Sequence, residues 1–169
     1  MKRLILTLIL SLIYSIAGFS QSLEVDKKAQ DELEKLSFIV GQWEGEGWMM
    51  GRDGTKHTFT QTENVQYKLD NTAILIEGIG TSGGQIIHNA LAVVRFNHED
   101  ADYTFNSYLA TGQTGEFKGE IMDGKFYWFP NENMRYIIEL NEDGHWLEVG
   151  EINQNGSWFQ FFEMRLEKV

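Results

Sequence analysis

Residues 77–85, EGIGTSGGQ, carry two overlapping chemical patterns. Gly78, Gly80 and Gly83 have the G-x-G-x-x-G spacing of a dinucleotide turn, where backbone N–H groups meet a pyrophosphate at a helix N-terminus. Gly80, Ser82 and Gly84 have the G-x-S-x-G spacing of a nucleophile elbow, where a strand-to-helix turn lifts a serine toward its base. Both chemistries need a helix directly after the glycines. The residues that follow, QIIHNALAVVRF, are strand-like, and no strand–helix–strand unit occurs elsewhere. The stretch is therefore expected to be a glycine-rich hairpin turn, and no catalytic residue is assigned.

Carboxylates are the second source of chemistry. Glu63 shares a strand face with Phe59, Val65 and Tyr67, while Thr58, Thr60, Thr62 and Asn64 lie on the other face. An acid among apolar neighbours is expected to point inward. Near the C-terminus, Asn155-Gly156 predicts a two-residue hairpin turn. Counting back from it places Ile152 opposite Phe159, Gly150 opposite Phe161, Glu148 opposite Glu163 and Trp146 opposite Arg165, with Tyr136 joining this face from the preceding strand. Opposed carboxylates repel. Inside a cavity they would share a proton, bind a cation or pair with Arg165. Outside, water would screen them, and both faces are mixed enough that parity leaves the inward face open. The candidate ligand-binding residues are Glu63, Tyr136, Glu148, Phe161 and Glu163.

Metal signals are weak. His57, His88, His98 and His145 form no H-x-H pair or H-E-x-x-H motif. Glu99, Asp100 and Asp102 in NHEDAD lack the ordered spacing of a calcium loop. No metal site is expected.

The elements that would position these groups are mostly strands. One helix is expected in DKKAQDELEKLSFIV, with Asp26 as cap and Ala29, Leu33, Leu36 and Val40 on one face. After Gly41, ten strand-like runs alternate with turn signals, at about 42–50, 56–67, 73–80, 85–96, 103–110, 116–122, 125–129, 134–140, 145–152 and 158–167. Tight consecutive turns predict an all-β, ten-stranded antiparallel up-and-down barrel, since closure removes sheet edges.

The ends and composition bound the setting. Lys2 and Arg3 precede an apolar run over 4–16, and AGFSQ offers small residues for cleavage between Ser20 and Gln21. This divides the chain into a signal peptide (1–20), an N-terminal segment with the helix (21–40) and a β-barrel domain (41–169), giving a secreted or periplasmic protein. The chain has no Cys, so neither a lipid-modified cysteine nor disulfides are available. Net charge is −11, and losing Lys2 and Arg3 with the signal makes it −13. That argues against nucleic acid and anionic membranes as partners.

The run LSFIVGQWEGEGW places G-x-W after a helix and before a meander. This resembles the calycin group, which includes lipocalins and fatty-acid-binding proteins. The fuller pattern at Gly41, Trp43, Gly45 and Gly47 looks like nitrobindin-type barrels and is similar to uncharacterised bacterial lipocalin-like proteins, as are TENVQYKLDNTAILIEGIG and GSWFQFFEMRLEKV. The resemblance implies an internal ligand cavity. It also implies that Trp43 packs against a basic residue of the last strand, for which Arg165 is the match. Gly45 and Gly47 share the strand face of Trp43 and are expected to leave space above its ring. Nitrobindin-like proteins hold haem iron with a His near the C-terminus, and WFQFFEMRLEKV has none, so no cofactor is expected. The leading expectation is a barrel binding a small apolar or amphipathic molecule. The alternatives are an enzyme using interior carboxylates, of isomerase or hydrolase type, and a filled barrel whose outer face binds a protein.

Overall fold

The computed structural model describes residues 23–169; the expected signal peptide over 1–20 lies outside them. Helix α1 (Lys27–Glu34) starts where Asp26 accepts a 3.0 Å bond from the Ala29 N–H. Ala29 and Leu33 turn toward the barrel, as their spacing requires. The expected helical face does not continue to Val40. The chain leaves α1 after Glu34 and makes a 3₁₀ turn, Ser37–Ile39. That turn buries both Leu36 and Ile39 fully, which a continued helix would not do for Ile39 on this face. Gly41, at φ 139°, then redirects the backbone into the first strand.

Ten strands follow: β1 (Gly41–Met50), β2 (Lys56–Lys68), β3 (Ala73–Ser82), β4 (Gln85–Asn97), β5 (Asp102–Leu109), β6 (Thr114–Met122), β7 (Lys125–Asn131), β8 (Met134–Leu140), β9 (Trp146–Gln154) and β10 (Ser157–Lys168). Each pairs antiparallel with its sequence neighbour, and β1 pairs with β10, closing the barrel. Alternation puts one side chain in two into the lumen. β4 follows directly on the turn at Gly83-Gly84, so neither glycine pattern precedes a helix.

The barrel has unlike ends. α1 and the 3₁₀ turn cover the end where Leu33, Leu36, Ile39, Ile74, Val94, Trp146 and Leu166 are almost completely buried. The Tyr103 hydroxyl donates to the Glu32 carbonyl at 3.0 Å and holds α1 there. At the other end Met49, Ile86, Ile87 and Phe159 remain exposed. Among the described residues no helix is long and apolar enough to cross a membrane.

The Asn155-Gly156 turn sets the expected pairs Ser157 with Gln154 and Phe159 with Ile152. The register then slips by one, because Gln160 pairs with Glu151 and Phe162 with Gly150. Phe161 is the extra residue of a β-bulge. Beyond it the predicted pairs are wrong: Glu148 faces Met164, Glu163 faces Val149, and Trp146 faces Leu166.

Candidate functional site

Glu63 and Glu148 enter the lumen from different walls. Glu63, on β2, sits between Trp43 of β1 and Gly78 of β3. Glu148, on β9, sits between Ile138 of β8 and Met164 of β10. Each is only 8% exposed. Gln61, two residues before Glu63 and on the same face, donates to Glu63 Oε1 at 2.6 Å. Glu63 Oε2 is buried with no partner. The Trp128 indole N–H donates to Glu148 Oε1 over a long 3.4 Å.

Two glycines of the opening pattern, Gly78 and Gly80, serve this arrangement. A Cβ at Gly78 would stand 2.6 Å from Glu63 Oε1, and one at Gly80 2.6 Å from Gln61 Oε1. They leave the room that the two polar side chains occupy. Ser82 is not poised for chemistry, since its hydroxyl donates to the Thr58 carbonyl at 2.8 Å.

The lumen keeps two adjoining spaces. One, of about 120 Å³, is bounded by Ile76, Ala90, Ala92, Phe105 and Trp146. The other, of about 230 Å³, is bounded by Met49, Phe59, Tyr136, Phe162 and Met164. Glu63, His88, Trp128 and Glu148 line both. The aromatic wall is ordered: Trp128 stacks between Phe105, at 4.6 Å, and Tyr136, at 4.3 Å, with the rings within a few degrees of parallel.

Burial controls the protonation of these groups. Removal from water pushes Glu63 up to about 7, against the opposing effect of the Gln61 bond. It pushes Glu148 up to about 8, with the Glu63 charge adding to the rise. The indoles of Trp128 and Trp146 work the other way. Trp146 Nε1 lies outside hydrogen-bond geometry with Glu148 and has no partner. His88 is an exposed residue, yet partial desolvation lowers its pKa and favours the neutral ring. Desolvation likewise raises the Tyr136 phenol. At neutral pH this is a site with protons to lose: burial favours the protonated form of both carboxyls, and no Lys or Arg stands in the lining.

The expected residues separate into two groups. Glu63, Tyr136 and Glu148 line the same space. Phe161 and Glu163 line neither space. The bulge turns Glu163 away from Glu148, and Gln160 Nε2 donates to it at 2.8 Å on the other face. Phe161 packs edge-on against Tyr136 at 5.6 Å, while its neighbour Phe162 takes the lining position. Trp43 is 2% exposed and packs edge-on against Trp146 at 5.7 Å. The expected Arg165 contact is absent. Arg165 is exposed, and Trp43 pairs across strands with Lys168, whose Nζ lies 5.1 Å from the ring centroid. Three residues along a strand reverse the face, so Arg165 and Lys168 cannot both reach the ring. Gly45 and Gly47 stand against the β10 backbone, and a Cβ at Gly47 would also strike Phe59.

Sequence reasoning missed Gln61, His88, Trp128 and Phe162. Gln61 had a signal, since it shares the Glu63 face. Trp128 follows in regular register from the Asp123-Gly124 turn and shares its face with Phe126, whereas Phe162 had no signal, because its face depends on the bulge in β10. Among the described residues no group of three or more His, Asp or Glu is placed to hold a metal ion.

No protein-family model matches this chain, and no curated protein matches it. Among solved structures, the crystal structure of Rv2717c from M. tuberculosis is similar, with a TM-score of 0.60 and 10% sequence identity, covering 81% of this chain and 96% of that one. At that identity the likeness concerns the fold: an antiparallel β-barrel.

Proposed function

We propose that this protein is an exported carrier that holds a small, largely apolar ligand inside its barrel. The observation that carries this reading is the lumen itself. It is a bounded space walled by Phe59, Phe105, Trp128, Tyr136 and Phe162, with a few convergent polar groups, the usual composition of a small-molecule site. The unfilled space speaks against a solid barrel that works only through its outer face. A haem does not suit this lumen. The larger space, about 230 Å³, is not far above the roughly 150 Å³ that accepts one benzene ring, and a tetrapyrrole needs much more. Export rests on the charged and apolar start of the chain.

One specific observation supports a second reading, an enzyme that moves protons. Glu63 and Glu148 lie close enough to influence each other and lose their protons near neutrality, as general acids and bases should.

Native mass spectrometry of protein from the host's extracellular or periplasmic fraction tests both parts of the proposal. The expected polypeptide begins at Gln21 and carries an extra non-covalent mass. The unprocessed chain in membranes would end the export reading. A bare polypeptide that also takes up no added benzyl alcohol would end the carrier reading. Recovery of added compounds in chemically altered form would favour the enzyme.

A further inference from the structure

We propose that the lumen selects a small organic cation, an ammonium or amidinium on a one-ring or short alkyl body, held between Glu63 and Glu148. This inference rests on the carrier reading and names its ligand class. Both acids line both spaces, and no Lys or Arg lines either. The other titratable groups facing them, His88 and Tyr136, are held toward their neutral forms by the surrounding wall. No cation of the protein therefore neutralises the pair, and one from outside would neutralise it.

The hydrogen-bond inventory points the same way. Glu63 Oε2 is buried without a donor, although its residue is only 8% exposed. A buried acceptor left unpaired is costly, and an N–H from a ligand would satisfy it. On the facing wall the imbalance is reversed. Trp146 Nε1 is a buried donor without an acceptor, and Trp128 Nε1 makes only a 3.4 Å bond. A Glu148 that has given up its proton becomes an acceptor on both oxygens, suited to two indole donors. A cation thus supplies what Glu63 lacks and favours the form of Glu148 that its indole neighbours can serve.

Size and shape narrow the class further. The parallel stack of Phe105, Trp128 and Tyr136 offers flat ring faces, which attract both aromatic bodies and positive charge. The larger space, about 230 Å³, exceeds the roughly 150 Å³ taken by benzene. One ring with a short charged arm fits there.

Entry of a cation displaces protons from the pair, so its affinity rises with pH. The limit is about tenfold per pH unit for each proton released. Calorimetry on the protein as purified would compare three probes of one shape: benzylammonium, benzyl alcohol and benzoate. At about pH 8 benzylammonium is expected to bind at least about tenfold more tightly than benzyl alcohol, with benzoate weakest. Near pH 5.5, where both acids hold their protons, the preference should shrink to within about threefold. The double variant Glu63→Gln/Glu148→Gln should remove the preference at both pH values. The pH comparison needs no variant, so a misfolded mutant leaves the test intact. Benzyl alcohol binding as well as benzylammonium at pH 8 would overturn the cation proposal and leave the carrier standing. Failure of all three probes, with no native ligand, would remove both.

Discussion

At the residue scale, the buried acids make a direct prediction about pH. Glu63 and Glu148 have folded pKa values near 7 and 8, both raised mainly by desolvation. An unfolded Glu titrates near 4.5. Between these values the folded state binds more protons than the unfolded state, so stability falls as pH rises. The contribution is whole below about pH 4.5 and is lost by about pH 8. At 1.36 kcal/mol per unit, Glu63 withdraws roughly 3 kcal/mol and Glu148 roughly 5 kcal/mol across that window. His88 has the opposite sign, because its lowered pKa makes stability rise with pH up to its unfolded value of 6.5. Glu32, held at about 2 by Lys28 and Lys35, acts only in acid. The clean interval is therefore about pH 6.5–8. Urea melts should show Glu63→Gln/Glu148→Gln more stable than the parent by about 2 kcal/mol or more at pH 8, with little difference at pH 5. Parallel pH slopes in the two proteins would show that the acids are solvated.

At the element scale, β3 is a strand shaped to accommodate its neighbour. Gly78 and Gly80 face the carboxyl of Glu63 and the amide of Gln61, and each would place a Cβ 2.6 Å from an oxygen. Gly78→Ala therefore has two opposed effects. Alanine favours the strand by roughly 0.5–1 kcal/mol, while the crowded carboxylate must move. The lumen offers it somewhere to go, so net stability is expected to change by less than about 1 kcal/mol. The signature is electrostatic: the displaced carboxyl reaches solvent in the lumen, and its pKa falls toward 4.5. Carboxyl-carbon NMR should show this, and an unmoved Glu63 titration would remove the glycine from its supporting role. The same strand shows what local pattern can and cannot reveal. Gly83-Gly84 was readable as a turn because a strand follows it. The purpose of Gly78 was not, because it depends on a side chain of another strand. β10 makes the same point. Its turn set four pairs as expected, and then Phe161 bulged. No Gly or Pro marks that bulge. One unmarked residue exchanged the faces of Glu163 and Phe162, and so exchanged the predicted site residues.

At the scale of the whole molecule, the closed barrel was legible because ten period-two runs between tight turns leave few other ways to remove sheet edges. Trp43 was also legible as an anchor. Its partners were not, since they come from the lid, from β9 and from the far end of β10. The Trp43 Nε1 donates to the Ile39 carbonyl at 2.8 Å, and its ring meets Trp146, so one side chain fastens the covering turn to two walls. Lys168 lies over the same ring but is exposed, and exposed cation–π contacts are worth only about 0.5–1 kcal/mol. Trp43→Ala is thus expected to cost roughly 3–5 kcal/mol in denaturant melts, and Lys168→Ala less than about 1. Trp43 is also the cross-strand neighbour of Glu63. Its removal opens the covered end above that carboxyl and admits water, which lowers the Glu63 pKa. The variant should therefore lose both stability and part of the alkaline decline in stability. A loss below about 1 kcal/mol would show that the covering turn is held without Trp43. A large loss with the pH slope intact would show that the lid and the acid pair are separate devices.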